Sequence, residues 1–272
     1  MSAILFKDFN KEVKDLFTKN FQDPGQWKLE SKFKGPKDQL YINPQASNDR
    51  LSVDLQYSSK KNDLSAAVRV DSNSSLGSAK VVHEQNNRMT ELAWLPSSSP
   101  STTADIHLNY HFTHPVLSVQ STSLLSDYLS STVGLTCRVE ERVLAGLSVN
   151  FDPFRSGLKD YTVALMFKER YTVTASPLSG YGLSFLHPLC AKANALVQLS
   201  LRRGNKVDGE VGVNFVSRCG GCGVAKVSIP ALDVALNLAK PMSDGWLVAV
   251  TLHWKHMASF PAALGFSVSR EL

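Results

Sequence analysis

The sequence predicts an all-β protein, a membrane-spanning β-barrel of antiparallel strands preceded by an amphipathic helix. Three observations predict it. The hydrophobic period switches from about 3.6 to about 2 at Trp27 and stays there along the rest of the chain. No segment supplies the ~20 nearly continuous apolar residues of a lipid-spanning helix, because Ser, Thr, Asn, Lys or Arg interrupts every apolar run. Aromatic residues recur near the ends of the alternating runs (Trp27, Tyr57, Phe112, Tyr161, Trp246, Trp254), where the interfaces of a membrane barrel would hold them.

The first element is a helix over residues 3–20. On a helical wheel Phe6, Phe9, Val13, Leu16 and Phe17 share one face, and Lys7, Lys11 and Lys14 form a basic stripe on another. Asp23-Pro24-Gly25 ends the pattern, since proline lacks the backbone donor and glycine lets the chain turn. The expected organisation is therefore a helix and linker over residues 1–25 and one β domain over residues 26–272.

Strands follow as alternating runs. Leu51, Val53, Leu55 and Tyr57 alternate with Ser52, Asp54 and Gln56. Leu64 to Val70, Ile106 to Phe112, Tyr161 to Phe167, Leu232 to Leu238 and Trp246 to Trp254 obey the same rule. Polar clusters separate them: Ser58 to Asp63, Asp71 to Ser75, Gly204-Asn205-Lys206, Ser243-Asp244-Gly245 and a Ser- and Pro-rich loop from Pro96 to Thr103. Such spacing reads as consecutive hairpins. A soluble sandwich also alternates, burying its apolar face as a core. The aromatic placement and the strand lengths, near the ~9–11 residues a tilted membrane strand needs, favour the barrel.

Composition narrows the function. Of 272 residues 43% are hydrophobic and 19% charged, with a mean hydropathy of -0.11 and a net charge of +5. The positive excess is dispersed beyond residue 34, unlike the clustered charge of a nucleic-acid binder. Inside a closed pore the same excess would favour anions. No secretory signal is evident, and Asp8, Glu12 and Asp15 speak against a transit peptide.

Motifs for chemistry are lacking. No nucleophile elbow, phosphate-binding loop or dinucleotide fingerprint occurs, so neither an enzyme nor a cofactor is expected. Cys219-Gly220-Gly221-Cys222 has no second pair at zinc-finger spacing and reads as a turn with two thiols, reversible redox pairing being the alternative. The remaining cysteines, Cys137 and Cys190, are too scattered for a disulfide framework. His107 and His111 would lie ~13 Å apart on a strand, so with His114 they read as polar-face residues rather than metal ligands.

The N-terminal segment resembles the mitochondrial porins, the voltage-dependent anion channel family. The resemblance lies in Phe6-Lys7-Asp8-Phe9, in Lys14-Asp15-Leu16-Phe17-Thr18-Lys19-Asn20-Phe21 and in the strand opening Trp27 to Lys34. Asn73-Ser74-Ser75-Leu76-Gly77 is similar to the family's turn after its fourth strand, and Gly265-Phe266-Ser267-Val268 to its terminal barrel-insertion signal. The resemblance implies a barrel of about 19 strands with the helix inside the pore. The ~247 residues after position 25 leave ~13 for each strand and its turn, consistent with these dimensions. Departures accompany it. Val68 stands where the family often carries a membrane-facing Glu, and Asp23-Pro24-Gly25 replaces a glycine-rich link, so regulation through that Glu and gating by helix movement do not carry over. Gly157-Leu158-Lys159 is displaced from the family's Gly-Leu-Lys position, and Arg270 replaces a final apolar residue.

The function implied is passive diffusion of small anions and nucleotides (ATP, ADP, phosphate, chloride) across the mitochondrial outer membrane. Its rivals are a protein-import pore of related architecture and a non-conducting structural or interaction protein. The expected pore-lining cations are Lys7, Lys11, Lys14, Lys28, Lys32, Lys34, Arg69, Arg138, Lys168, Arg202 and Lys255. Phe6, Phe9, Val13, Leu16 and Phe17 would pack the helix on the barrel wall, and Gly265, Phe266 and Val268 would carry the insertion signal. Expected partners are membrane lipid, the barrel-insertion machinery and further copies of the chain, with no nucleic acid.

Overall fold

The structure is a computed structural model. It describes residues 3–18, 21–22, 25–34, 40–48, 51–59, 63–72, 74–96, 105–125, 129–152, 157–202, 204, 206–217, 220–255 and 262–271. Asp23, Pro24, Asn73, Asn205, Cys219, residues 60–62 and most of the loop expected after Pro96 lie outside them.

A 3₁₀ turn, Phe6–Asp8, precedes one helix, α1 (Lys11–Thr18). The strands β1 to β10 are Trp27–Lys34, Leu40–Ser47, Leu51–Ser59, Leu64–Asp71, Ser74–Gln85, Arg88–Leu95, Asp105–Thr113, Leu117–Leu125, Leu129–Glu140 and Val143–Asp152. β11 to β19 are Gly157–Phe167, Tyr171–Ser176, Gly180–Cys190, Ala193–Arg202, Lys206–Val216, Cys222–Ile229, Val234–Pro241, Trp246–Trp254 and Ala262–Glu271. All 19 strands join one sheet in sequence order, and β1 pairs with both β2 and β19. The sheet is therefore a closed β-barrel. Neighbours are antiparallel, so an odd count leaves β1 and β19 pointing the same way. Gly25 donates to Leu264 O at 2.8 Å and Phe266 to Gln26 O at 3.0 Å. The two segments thus advance together, as a parallel pair requires.

The chain forms two compact units: Met1–Phe9, Lys32–Gln45 and Arg50–Leu165 in the first, Asn10–Ser31, Ala46–Asp49 and Met166–Leu272 in the second. In both, the strands bury the face that a water-soluble sheet would expose. Leu51 is 61% exposed beside Ser52 at 8%, and Leu165 is 55% exposed. Thr136, Thr172 and Thr251 are buried, whereas Leu55, Leu108, Val211 and Leu252 on the alternate phase are open. This inversion suits a sheet whose apolar face meets lipid.

Several expectations are corrected. The helix is not continuous over residues 3–18. Its first part is a 3₁₀ turn, and α1 starts after Asn10, a residue favoured at helix N-caps. Lys168 leaves the strand for the β11–β12 turn, where it and Glu169 adopt φ of 54° and 57°. Lys255 lies one residue past β18. Leu232, expected to open a strand, has φ 57° in the turn before β17. Leu76 and Gly77, expected in a turn, lie within β5. Tyr161 sits in the middle of β11 rather than at its end.

Candidate functional site

The N-terminal segment lies on the polar face of the strands. In the first unit, Phe6–Asp8 rests on β8, β9 and β10. Ala3 donates to Pro115 O at 3.1 Å and accepts from Ser118 Oγ at 2.9 Å. The Lys7 amide donates to Gln120 Oε1 at 3.2 Å, and Lys7 Nζ lies 3.2 Å from His111 Nε2. Phe6 and Phe9 stack at 5.5 Å, above Gly146. A Cβ there would lie 2.7 Å from Phe6 Cδ2, so the missing side chain makes room for the ring.

In the second unit α1 packs on β13, β14 and β16. Val13 and the fully buried Phe17 form a cluster with Leu186 and Leu196, flanked by Leu16 and Val224. An eight-residue helix is too short to persist alone in water, so this burial is what holds it. Lys226 Nζ donates to Phe17 O at 2.8 Å and to Glu210 Oε1 at 2.7 Å, and lies 4.4 Å from the centre of the Phe21 ring. A cation at the helix C-terminus meets the negative end of the helix dipole. Beyond the helix, Gln22 donates to Thr251 Oγ1 at 3.3 Å, and His253 Nε2 donates to Gln22 O at 2.6 Å.

Of the expected packing face, Phe6 and Phe9 stack on each other in the first unit, and Val13, Leu16 and Phe17 pack on the strands of the second. Lys7, Lys11 and Lys14 stay exposed on that segment. Lys14 lines a cleft of about 360 Å³ beside α1 with Thr18, Thr172, Ser184, Ser200 and Glu210. A second cleft, of about 370 Å³, runs past Glu12, Asp15, Phe215 and Cys222.

The strand cations are not a bare positive lining. Arg69 grips Asp54 with two bonds, at 2.5 and 2.8 Å, and Gln45 adds a third at 3.0 Å. Lys80 pairs with Glu91 at 2.5 Å, Lys159 with Asp152 at 3.4 Å and Arg202 with Asp208 at 3.0 Å. Each pair joins adjacent strands. Lys28 pairs within its own strand with Glu30 at 2.7 Å, and Lys32 lies 5.8 Å from the centre of the Tyr41 ring. Arg138 is half-buried in β9, Arg202 is the last residue of β14, and the side chain of Lys34 is outside the described residues. Sequence reasoning named Lys28, Lys32, Arg69 and Arg202, left out Lys80, Lys159 and Lys226, and assigned no acid to any of them. Position on the polar phase was the only available signal.

His107 and His111 share the polar face of β7, and His114 accepts from the Val116 amide at 3.3 Å in the following turn. Cys222 opens β16. Gly265, Phe266 and Val268 lie in β19, where Phe266 is exposed on the apolar face opposite Val250. Arg270 stacks its guanidinium 5.0 Å from the Trp246 ring centre.

The family model described as eukaryotic porin matches residues 3–220. No curated protein sequence matches the chain. Among solved structures, a mutant porin from Rh. blastica is similar at 7% identity and a TM-score of 0.46, over 85% of this chain and 90% of that one.

Proposed function

The chain belongs to the eukaryotic porin family, a family of pore-forming channels, and on that premise we propose that it is an anion-preferring, voltage-dependent channel of the mitochondrial outer membrane. Its permeants are chloride, phosphate and nucleotides such as ATP and ADP, moved by diffusion without a chemical step. The observation that carries this reading is the inverted burial of the strands: large apolar side chains face out and polar ones face the N-terminal segment. Lipid would solvate the first face, and water would fill the space lined by the second.

The preference for anions is supported by the net charge of +5 and by Lys7, Lys11 and Lys14 on the polar face. Ion pairs offset much of the strand charge, and in this reading the N-terminal lysines add to the field that remains. Voltage would act on the charged groups lining the pore, since moving a charge through the field costs about 2.3 kcal/mol per 100 mV. Gly265, Phe266 and Val268 would serve barrel insertion.

Reversal potential under a KCl gradient, with refolded protein in a planar bilayer, tests the proposal. An anion-selective current that closes at raised voltage is expected, and the K7E/K11E/K14E variant should shift the potential towards cations. Silence from folded protein would keep the barrel and remove the channel. A cation preference in the parent would remove the anion reading.

A further inference from the structure

The hairpin β11–β12 ends short of its neighbour. β12 starts at Tyr171, opposite Phe185 of β13, and Leu186 donates to Arg170 O at 3.0 Å. β13 runs on to Cys190, with His187 opposite Ala195 and Pro188 opposite Asn194 of β14. The β13–β14 hairpin therefore projects about four residues, or ~13 Å, past the β11–β12 turn. A step is left in the rim.

Rings line the step on the apolar face. Tyr171 lies 6.5 Å from Phe167, 6.2 Å from Phe185 and 6.3 Å from His187, centre to centre. The Tyr171 hydroxyl is 2.6 Å from His187 Nδ1. With the hydroxyl donating, the imidazole proton is left on Nε2. Above the rings stands the exposed turn Lys168-Glu169-Arg170, with Lys168 Nζ 5.1 Å from the Phe167 ring centre. Lys192 is exposed in the adjacent turn at the same end. Three cations against one acid give this corner a net charge of +2. At the opposite end of β12 and β13, the turn Pro177-Leu178-Ser179 carries no charge.

Depth along this corner runs from aliphatic (Leu183, Val173) through aromatic to cationic, the order in which a phospholipid presents chains, glycerol and phosphate. We propose that the step binds the phosphate of an anionic glycerophospholipid through Lys168 and the His187 Nε2 proton, with the charges of Arg170 and Lys192 adding to the field at this end and the acyl chains lying on the apolar face. The site rests on insertion of the barrel in a membrane and is independent of what the pore selects.

Native mass spectrometry of the full chain in detergent tests it, with dioleoyl phosphatidylglycerol and dioleoyl phosphatidylcholine offered in equal amounts. The parent should retain the anionic lipid about tenfold more strongly, as expected for a few basic residues at an anionic headgroup. The K168Q/R170Q variant should lose most of that preference, and E169Q should raise it. Equal retention of both lipids by the parent would overturn the proposal without any variant. So would undiminished preference in K168Q/R170Q, or displacement of the lipid by glycerol phosphate alone, which would make the corner a free-phosphate site. The channel reading fails instead on absent current from the parent, whatever lipid it retains.

Discussion

The two halves of the N-terminal segment meet their strands by different physics. Phe6–Asp8 and the residues leading into it are held largely by directional bonds, Ala3 and Lys7 donating to Pro115 and Gln120 and Ser118 donating to Ala3. α1 is held by buried hydrocarbon, with Val13 and Phe17 sealed against Leu186 and Leu196. Both press a ring onto a glycine, Phe6 on Gly146 and Phe17 on Gly212. They differ in what surrounds the ring. Phe17 is fully buried and its carbonyl is tied by Lys226, whereas Phe6 is half-buried and stacks on Phe9. A hydrogen bond exchanged for one to water adds little net stability, while burying an aromatic ring adds several times more. The second half should therefore be the firmer anchor.

Phe17→Ala is the strongest attack on that contrast. It removes a fully buried ring, at a cost of about 3–5 kcal/mol, more than the docking of an eight-residue helix can spare. Hydrogen exchange in detergent should show amides 11–18 losing protection. Retained protection would mean that α1 does not depend on its hydrocarbon contact. Next comes Lys226→Met, which keeps the stem and removes the charge. It leaves Glu210 without its 2.7 Å partner and Phe17 O without its donor, for about 1.5–3 kcal/mol. Adding Glu210→Gln should recover part of that loss, because the unpaired carboxylate is then gone. A double variant no better than the single would assign the loss to Phe17 O alone.

Gly146→Ala tests the other half. The new methyl would lie 2.7 Å from Phe6 and 3.2 Å from Phe9, so the ring pair must shift, for about 1–3 kcal/mol. Amides of residues 6–9 should exchange faster while those of 11–18 keep their protection. Equal loss in both stretches would show that the segment docks as one piece, and the comparison above would be wrong.

Most of the strands were legible because two opposed solvents act on each. β3 and β7 alternate cleanly, since nearly every second residue is apolar and exposed and its neighbours are polar or covered. The turn at Lys168 was not legible. Two consecutive residues with positive φ usually announce themselves as Asn-Gly or Asp-Gly, whereas Lys168-Glu169 carries no such signal. The break in the helix was hidden for another reason. Phe6 and Phe9 are three apart, a spacing that places both on one face of an α-helix and of a 3₁₀ turn alike. The ion pairs needed register. Asp54 lies directly across from Arg69, and a slip of one residue would turn one of them to the other face. Composition alone therefore overstated the positive lining.

The smallest expected effect is the most discriminating for the polar half. Gln120 accepts the Lys7 amide at 3.2 Å, and its side chain also covers Gly134. Gln120→Leu keeps the cover and removes the acceptor, leaving the Lys7 N–H to find water. The loss should be about 0.5–1.5 kcal/mol, read as faster exchange of that one amide. Gln120→Ala removes both, so it should cost more, and the difference between the two variants measures the packing over Gly134. If Gln120→Leu leaves the Lys7 amide as protected as before, directional bonding is not what holds Phe6–Asp8. The ring pair on Gly146 would then be its anchor, and the two halves would differ only in how deeply each ring is buried.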